Sequence, residues 1–445
     1  MKLATYKDGS RDGQLVVVSR DLSMAHYASG IAHRLQQVLD DWNFLSPQLQ
    51  DLSENLNHGK ARHAFPFEPQ RCMAPLPRAY QWADGSAYIN HVELVRAASA
   101  TNVPESYYVE PLMYQGGSDD FLGPMDPIVC RSEDWGIDFE AEMAVITGDV
   151  PMGATPDQAL DGIRLVMLAN DVSLRNLVSD ELAKYFGFLQ SKPATAFSPV
   201  AVTLDELGTA WDHGRVHLTM QTSWNGRKVG MCDAGTDMTF HFGQLISHLS
   251  KTRNVRAGSI IGSGTVSNRG IENKGRKEWP KGYSCIAEKR TMETLLDGAP
   301  STGFMRYGDT VRIEMKGPDG QSVFGAIEQA VTPAACCGDA RSVRAVLLLL
   351  RLAIDTTLGF WVDLQTRQRN RLPAVHALAV GAFAYSHQRG LNRIELSTLV
   401  LVNGKSQVAL GDVLGVLVFA LTELLGRSLD TSHGPTTLLR DAVHQ

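Results

Sequence analysis

The sequence predicts a β-rich α+β protein in three parts: a small α+β unit over residues 1–75, a larger β-rich domain over residues 76–332, and a helical extension over residues 333–445. Three observations predict this division. Short strand patterns separated by turns fill the middle of the chain, a hairpin and two helical patterns precede them, and strongly apolar runs follow. With 445 residues, the chain is also long for a single hydrophobic core.

The first part combines a β-hairpin with two helices. Residues 3–6 and 14–19 are strand patterns on either side of a turn, residues 8–13, that contains two glycines. Helical spacing follows at residues 31–39 and 45–56. Because proline disrupts both helix and sheet, four prolines in close succession predict an extended connector into the next domain: Pro66, Pro69, Pro75 and Pro77.

The middle part is mostly strand and turn. Residues 216–222 precede a turn at residues 224–227 that contains Asn-Gly, and residues 310–315 precede a second turn rich in glycine and proline. Two helices interrupt this pattern. One begins at Thr155, which is suited to cap a helix whose first residue is proline, and the other covers residues 240–249.

The last part contains two strongly apolar helical patterns, residues 344–354 and 413–425. Both fall short of the roughly 20 apolar residues that a membrane span requires. We therefore expect buried helices or a dimer contact, and no membrane partner.

Charge and cysteine content narrow the function class. The formal net charge of -6, without a Lys/Arg run interleaved with aromatic residues, argues against a nucleic-acid partner. The first residues contain no apolar segment of the kind that a secretory signal requires, and the six cysteines show no paired metal spacing. We expect a cytoplasmic protein.

The stretch at residues 138–143 alternates acidic and apolar residues, which predicts a strand with three carboxylates on one face. Like charges at neighbouring positions repel each other. Such a face either points into bulk water or shares a counter-charge such as a hard divalent cation. From this stretch alone, a solvated surface and a metal site both stay open for Asp138, Glu140 and Glu142.

Residues 163–169 form a continuous apolar run, which predicts a buried strand that delivers Asp171 and then Arg175 at its carboxyl end. This is a favourable place for a site. The alternative is an ordinary turn, in which Ser173 caps the next helix and Arg175 is solvated.

Three more residue types are suited to chemistry. His91 begins a helical pattern seven residues after Asp84, and such a histidine either makes an ordinary hydrogen bond or transfers protons near neutral pH. Lys192 stands among small and apolar residues, where it is either a surface lysine or a cation that stabilises developing negative charge. Glu288 ends an apolar stretch, and a buried glutamate needs a partner such as a protonatable histidine.

Two segments of small residues and hydroxyls, residues 114–118 and 261–268, allow backbone N–H groups to approach an anionic ligand. The second segment lacks both the Gly-Lys-Ser/Thr ending of a phosphate loop and the spacing of a dinucleotide fingerprint. A nucleotide site is therefore not indicated. Two tight turns remain the alternative for these segments.

In their order along the chain, these features resemble the fumarylacetoacetate hydrolase family, and in particular its long bacterial members with a separate N-terminal unit. The resemblance covers residues 84–331. It implies a mixed, strongly twisted β-roll and a homodimer. The residues that carry it are Asp84 with His91, Tyr114 before two glycines, Asp138 to Glu142, Asn170 to Arg175, Lys192, Gly264 with Thr265, and Glu288.

The resemblance implies a site with one divalent cation. All-oxygen ligands favour Mg²⁺ or Ca²⁺, with Mn²⁺ also suitable. It further implies that His91, oriented by Glu288, is the general base on a water molecule, and that Arg175 and Lys192 stabilise charge at keto oxygens. Asp138 belongs to the pattern without being a ligand. The expected substrate contacts are Ser86, Tyr114, Gly264 and Thr265, and the expected metal ligands are Asp84, Glu140, Glu142 and Asp171.

The activity that the resemblance implies is hydrolysis of a carbon–carbon bond in fumarylacetoacetate, which gives fumarate and acetoacetate in the last step of tyrosine breakdown. One alternative is hydrolysis, decarboxylation or isomerisation of another oxo-acid, such as an acylpyruvate or oxaloacetate. Another is a metal-dependent ligand sensor without catalysis. Val178 replaces a glutamine of the eukaryotic hydrolases, residues 192–198 are one residue shorter, and residues 333–445 match nothing in the family.

Overall fold

Strands predominate in the part of the chain that the computed structural model describes, residues 1–98, 102–334, 384–388 and 391–395. Met1–Ala334 forms one compact unit and Ala335–Gln445 a second. The helices are α1 Leu35–Asp40, α2 Trp42–Asn57, α3 Ile89–Ala98, α4 Pro156–Leu160, α5 Arg175–Leu182, α6 Phe242–Ser250 and α7 Ile286–Asp297. The strands are β1 Lys2–Tyr6, β2 Gln14–Val18, β3 Met24–Tyr27, β4 Phe65–Pro66, β5 Gln81–Gly85, β6 Met113–Gly116, β7 Ile128–Cys130, β8 Ile137–Asp138, β9 Ala141–Thr147, β10 Ile163–Asn170, β11 Ser173–Leu174, β12 Ala196–Phe197, β13 Ala201–Val202, β14 Trp211–Asp212, β15 Arg215–Val216, β16 Thr219–Trp224, β17 Arg227–Asp233, β18 Ser259–Thr265, β19 Ile271–Asn273, β20 Arg276–Glu278, β21 Thr310–Lys316, β22 Ser322–Pro333, β23 Ala384–Gln388 and β24 Leu391–Glu395.

Eleven strands form one mixed sheet that carries the predicted site. Ten of them follow the order β4-β3-β2-β1-β13-β10-β9-β18-β5-β6, and β12 pairs with β10 off this path. β5 and β18 are parallel, whereas β18 and β9 are antiparallel, as are β9 and β10. The predicted β-rich α+β class is confirmed.

A second sheet has five strands in the order β17-β16-β21-β22-β7, of which β22 and β7 are parallel. The predicted Asn-Gly turn joins β16 to β17. Asn225 and Gly226 both have positive φ, 50° and 72°, as a two-residue hairpin turn requires.

The long apolar run is buried on both faces of the eleven-stranded sheet. Val166 and Leu168 of β10 belong to a large core cluster that also contains Ile313 of the second sheet. Leu165 and Met167, which point to the opposite face, belong to a cluster that includes residues of α1 and α2. Because helices cover one face and the second sheet contributes to the other, β10 needs no polar alternation.

The N-terminal hairpin joins the same sheet. β1 pairs with β2 over five residue pairs and with β13 on its other side. The predicted helix at residues 31–39 begins later, at Leu35, where the Gln37 side-chain oxygen accepts the Arg34 backbone N–H at 3.1 Å. The predicted helix at residues 45–56 corresponds to the longer α2.

The expected acidic strand at residues 138–143 is interrupted. β8 ends at Asp138 and β9 begins at Ala141. Between them, the Glu140 N–H donates to the Asn170 side-chain oxygen at 3.1 Å, so this amide does not pair with a neighbouring strand. All three acidic residues are buried, and the solvated-surface alternative is therefore wrong.

The alternative in which Ser173 caps the next helix is also wrong. α5 begins at Arg175 with Leu174 in the N-cap position and no side-chain cap. Ser173 instead lies in β11, opposite Asp138 of β8. By contrast, Thr155 caps α4 as predicted, with its hydroxyl accepting the Gln158 N–H.

In the extension, the structure describes an antiparallel pair, β23 with β24, which the sequence analysis did not predict. The helices expected at residues 344–354 and 413–425 lie outside the described residues. Within the described ranges, no helix is both long enough and apolar enough to cross a membrane.

Candidate metal centre and catalytic pair

Three buried carboxylates converge where neighbouring strands of the eleven-stranded sheet end. Asp84 lies in β5, Glu142 in β9 and Asp171 directly after β10. β9 and β10 are adjacent and β5 lies one strand away across β18, so the topology itself brings these acids together. One oxygen of each carboxylate lies within 4.8 Å of those of the other two. We call these three residues the acidic cluster.

The acidic cluster fits a hard divalent cation. Both carboxylate oxygens of Glu142 are buried, and among the described residues neither has a hydrogen-bond partner. Burial raises the pKa of Glu142 well above its usual range, and the charges of Asp84 and Asp171 raise it further. Burial likewise raises the pKa of Asp84, with Asp171 the next cause. A cation that accepts oxygen ligands offsets this burial and this repulsion, and Mg²⁺, Ca²⁺ and Mn²⁺ all prefer such ligands.

Glu140 lies beside the acidic cluster and binds two cationic side chains. Arg175 Nη2 donates to one carboxylate oxygen at 2.5 Å, and Lys192 Nζ donates to the other at 2.6 Å. Burial disfavours the charge of Glu140, but Arg175 and Lys192 outweigh burial and hold its pKa well below the usual range. The role of Glu140 as a fourth metal ligand stays a prediction.

Lys192 and Arg175 are held in the site by carboxylates. Lys192 Nζ bridges Glu140 and Asp171, with a distance of 2.7 Å to Asp171 Oδ2. Burial lowers the pKa of Lys192, but the charges of Asp171 and Glu140 outweigh burial and raise it above the usual range. The side chains are only 9% and 19% exposed, so the surface-lysine and solvated-arginine alternatives are both wrong.

His91 and Glu288 form a hydrogen-bonded pair between α3 and α7. The distance from His91 Nδ1 to Glu288 Oε1 is 3.0 Å. Glu288 is buried, whereas the His91 side chain is 18% exposed. Since Nδ1 faces Glu288, Nε2 is the ring nitrogen left for a water molecule or a substrate.

The Cys285 thiol at the start of α7 also lies close to this pair. Burial raises the pKa of that thiol well above its usual range, with Asp138 and Glu288 as further causes.

Tyr114, an expected substrate contact, binds the acidic cluster in this structure. Its hydroxyl donates to Asp171 Oδ2 at 2.5 Å, and its ring meets Phe188 edge to face, with centroids 5.5 Å apart. Burial raises the pKa of Tyr114 well above its usual range, and the Asp171 charge adds to this. The phenol therefore stays protonated and able to donate.

The other expected substrate contacts lie around β5 and β18. The Gly264 N–H donates to Asp84 Oδ1 at 2.9 Å. Gly264 has φ +72°, and a Cβ there would lie 2.1 Å from the Gly85 carbonyl oxygen, so only glycine fits this close approach. Thr265 is buried at the end of β18, and Ser86 directly follows β5.

Two residues that the sequence analysis did not assign support the acids. The Thr195 hydroxyl donates to Asp171 Oδ1 at 2.7 Å. Asn170 accepts the Glu140 N–H and donates to Gln329 Oε1 at 2.8 Å. Thr195 lies three residues after the predicted lysine and Asn170 directly before the predicted aspartate, so proximity in sequence was the available signal.

Two family profiles match this chain. Residues 81–332 match the profile described as fumarylacetoacetate hydrolase C-terminal, and this range is more than half of the 445 residues. The chain belongs to the fumarylacetoacetate hydrolase family. Residues 1–78 match the profile described as fumarylacetoacetase N-terminal domain 2.

Relatives in the fumarylacetoacetate hydrolase family have differing activities. A fumarylacetoacetase from Arabidopsis thaliana is 25% identical over 347 residues, 69% of this chain and 73% of the relative. An oxaloacetate tautomerase from Bacillus subtilis is 24% identical over 226 residues, 50% of this chain and 71% of the relative. In fold, the chain is similar to fumarylacetoacetate hydrolase from Exiguobacterium antarcticum, with a TM-score of 0.51 and 18% identity, over 75% of this chain and all of that one.

Proposed function

We propose that this protein hydrolyses a carbon–carbon bond in a β-diketo acid, with fumarylacetoacetate as the first candidate substrate. The observation that carries the proposal is the His91–Glu288 pair, 3.0 Å apart, in the same chain as a buried acidic cluster that fits a divalent cation. General base and cation site together are what water attack on a diketone requires. The family membership supports a hydrolase or isomerase of this kind.

The acidic cluster would hold the cation through Asp84, Glu142 and Asp171. When bound, a divalent ion supplies Lewis acidity to keto oxygens. Mg²⁺ or Ca²⁺ is proposed, with Mn²⁺ as a suitable substitute, because the ligands are all carboxylates.

The chain's own residues perform the proton transfers. Glu288 accepts a hydrogen bond from the Nδ1–H of His91, which leaves Nε2 as the base that takes a proton from water. The hydroxide oxygen forms a bond to one carbonyl carbon, and the bond from that carbon to the neighbouring methylene carbon breaks. The methylene carbon keeps the electron pair and takes up the proton that His91 removed from water. With fumarylacetoacetate and one water, the products are fumarate and acetoacetate.

Arg175 and Lys192 are placed to stabilise the negative charge that develops on the keto oxygens. Both are largely buried cations, and each has more N–H groups than its contacts with Glu140, Asp138 and Asp171 use. Removing water from such donors strengthens their electrostatic effect on a developing charge.

The second candidate is action on another oxo-acid, such as hydrolysis of an acylpyruvate or tautomerisation or decarboxylation of oxaloacetate. The observation that favours it is the similarity to a protein named oxaloacetate tautomerase over 50% of this chain. All these reactions develop negative charge next to a carbonyl group, which a divalent cation bound at the acidic cluster would stabilise. A homodimer in the cytoplasm remains part of the proposal, and sedimentation of the purified protein would test the dimer.

The test is turnover by the purified full chain with fumarylacetoacetate, an acylpyruvate and oxaloacetate, each with excess Mg²⁺ and with chelator. We expect His91→Ala to reduce kcat by about 10²- to 10⁴-fold, the usual contribution of a general base. The control is His33→Ala, because His33 is exposed and lies in the N-terminal unit. Unchanged hydrolysis in His91→Ala would show that the base is assigned wrongly, and tight ligand binding without any turnover would favour a sensor.

A further inference from the structure

Asp138 connects the two halves of the proposed catalytic site. It is completely buried, and its carboxylate accepts three charge-assisted hydrogen bonds. Oδ1 accepts the Ile286 N–H at 2.7 Å, and Oδ2 accepts the Ala287 N–H and the Arg175 Nε–H, both at 2.9 Å. The carboxylate therefore contacts α7 on one side and the proposed oxyanion-stabilising arginine on the other.

On the first side, Asp138 accepts hydrogen bonds from backbone N–H groups at the start of α7. The first N–H groups of a helix have no partner within the helix. In α7, Asp138 takes those of Ile286 and Ala287, and the Cys285 thiol accepts the third at 3.4 Å. A thiol is a weak acceptor, so the Asp138 carboxylate is the main cap, and its charge is also favourable at this end of the helix dipole.

The next residue of that first turn is Glu288, the partner of His91. Because Glu288 is the third residue of α7, fixing the first two amides fixes where its side chain begins. Asp138 thereby fixes the backbone position from which the Glu288 side chain extends to His91.

On the second side, Asp138 orients Arg175. Ser173 pairs with Asp138 across β11 and β8, and the Arg175 N–H donates to the Gly136 carbonyl at 2.9 Å. The bond from Nε to Asp138 fixes one edge of the guanidinium, so that Nη2 reaches Glu140.

We propose that Asp138 is a positioning residue that holds the His91–Glu288 pair and Arg175 in register with each other. This inference rests on the proposed function, because it assigns Asp138 an effect on the same reaction. Because Asp138 is completely buried and its carboxylate binds Arg175 and the start of α7, we assign it no contact with substrate.

Asp138→Asn is the informative variant because it keeps the shape of the side chain. Whichever way the amide is turned, its NH₂ group faces at least one of the three donors that the carboxylate now accepts. We expect kcat to fall about 10- to 100-fold, the effect of one buried donor left without an acceptor. The affinity for Mn²⁺ should stay within about threefold, because Asp138 is not part of the acidic cluster.

A double-mutant cycle separates positioning from a general loss of stability. If Asp138 acts through Glu288, then Asp138→Asn should reduce kcat much less in a Glu288→Gln background than in the wild type. The fold-loss of kcat in the double variant should be at least about tenfold smaller than the product of the two single fold-losses. Losses that multiply would overturn the proposal. Asp134→Asn is the matched control, since Asp134 is exposed and undergoes the same change of charge.

Amide hydrogen exchange gives a readout that does not depend on turnover. In the wild-type protein, the Ile286 and Ala287 amides should exchange slowly, and Asp138→Asn should accelerate both at least about tenfold. Fast exchange of these amides in the wild type overturns the proposal even if the variant does not fold. If the wild type acts on no oxo-acid but its two amides are slow and respond to Asp138→Asn, the proposed function fails while the positioning role holds.

Discussion

Replacing Glu142 with glutamine should stabilise the protein in the absence of a cation and destabilise it in its presence. Glu142 is 0% exposed, and among the described residues neither of its carboxylate oxygens has a hydrogen-bond partner. Burial raises its pKa well above the usual range, with Asp84 and Asp171 adding to the shift. Glutamine keeps the size of the side chain but removes the charge.

The magnitude without cation follows from the buried charge. A buried polar group without a partner costs about 1–3 kcal/mol, and a charged group costs more than a neutral one. In chelator at pH 8, Glu142→Gln should therefore raise the free energy of unfolding by at least about 1 kcal/mol.

The sign of the pH dependence is fixed by the direction of the pKa shift. A carboxyl group with a raised pKa in the folded state binds its proton more tightly there than in the unfolded chain. Wild-type stability should therefore fall as pH rises above the ordinary pKa of 4.5. The advantage of the variant should appear over the same range and vanish near pH 4.

With cation, the order of stability reverses. A ligand at 100 times its Kd stabilises the folded state by about 2.7 kcal/mol, and only the protein with an intact site gains this. At about 2 °C per kcal/mol for a large domain, the wild-type Tm should rise by about 5 °C on adding excess Mg²⁺ or Mn²⁺.

Thermal denaturation of both proteins in chelator and in excess cation measures these effects. Glu272→Gln is the control, because Glu272 lies on the exposed strand β19 and should respond to neither condition. Equal stabilisation of wild type and Glu142→Gln by the cation would refute the assignment of Glu142 as a ligand. A variant less stable than wild type in chelator would refute the account of its buried charge.

Three further changes test the surroundings of the site. Gly264→Ala should lower Tm and weaken Mn²⁺ binding, because the added Cβ would lie 2.1 Å from a backbone oxygen. The control is Gly275→Ala, which also has positive φ but no atom within 4 Å of the added Cβ, and it should cost only about 1 kcal/mol in stability. Thr195→Val removes the hydroxyl that donates to Asp171 and should weaken Mn²⁺ binding about tenfold by calorimetry, with an unchanged Kd arguing against a supporting role. Glu181 accepts hydrogen bonds from the Ser191 hydroxyl and from backbone N–H groups before Lys192, and although burial raises the pKa of Glu181, these bonds outweigh burial and lower it to about 2. Urea denaturation should therefore find Glu181→Gln less stable than wild type at pH 7, and the difference should become smaller as pH falls from 4.5 towards 2.

Local signals in the sequence predicted those elements whose cause is local. The hairpin of β1 and β2, the turn at Asn225 and Gly226, and the cap at Thr155 all depend on residues within a few positions of each other. The apolar run of residues 163–169 likewise predicted a buried strand, which is β10. Such features need no knowledge of the rest of the chain.

Pairings between distant segments were not predictable in the same way. β5 lies beside β18, so Asp84 accepts a hydrogen bond from Gly264, 180 residues away. No periodicity in the sequence specifies that register, and only the family resemblance placed these residues in one site. The position of Glu140 shows the same limit: its place in the acidic stretch does not reveal that Arg175 and Lys192 take both of its oxygens.

The charges of the buried site show why a divalent cation belongs to it. Five carboxylates face two cationic side chains there, so five negative and two positive charges sum to -3 if all the carboxylates are ionised. Burial raises the pKa of three of these acids, Asp84, Asp138 and Glu142, and the charges of neighbouring carboxylates raise it further. Protonation is the other way in which the chain alone can remove the excess charge. A divalent ion removes two of the three charges without a proton, and it acts where the unpartnered oxygens lie. The acids in question are Asp84, Asp138, Glu140, Glu142 and Asp171, and the cationic side chains are Arg175 and Lys192.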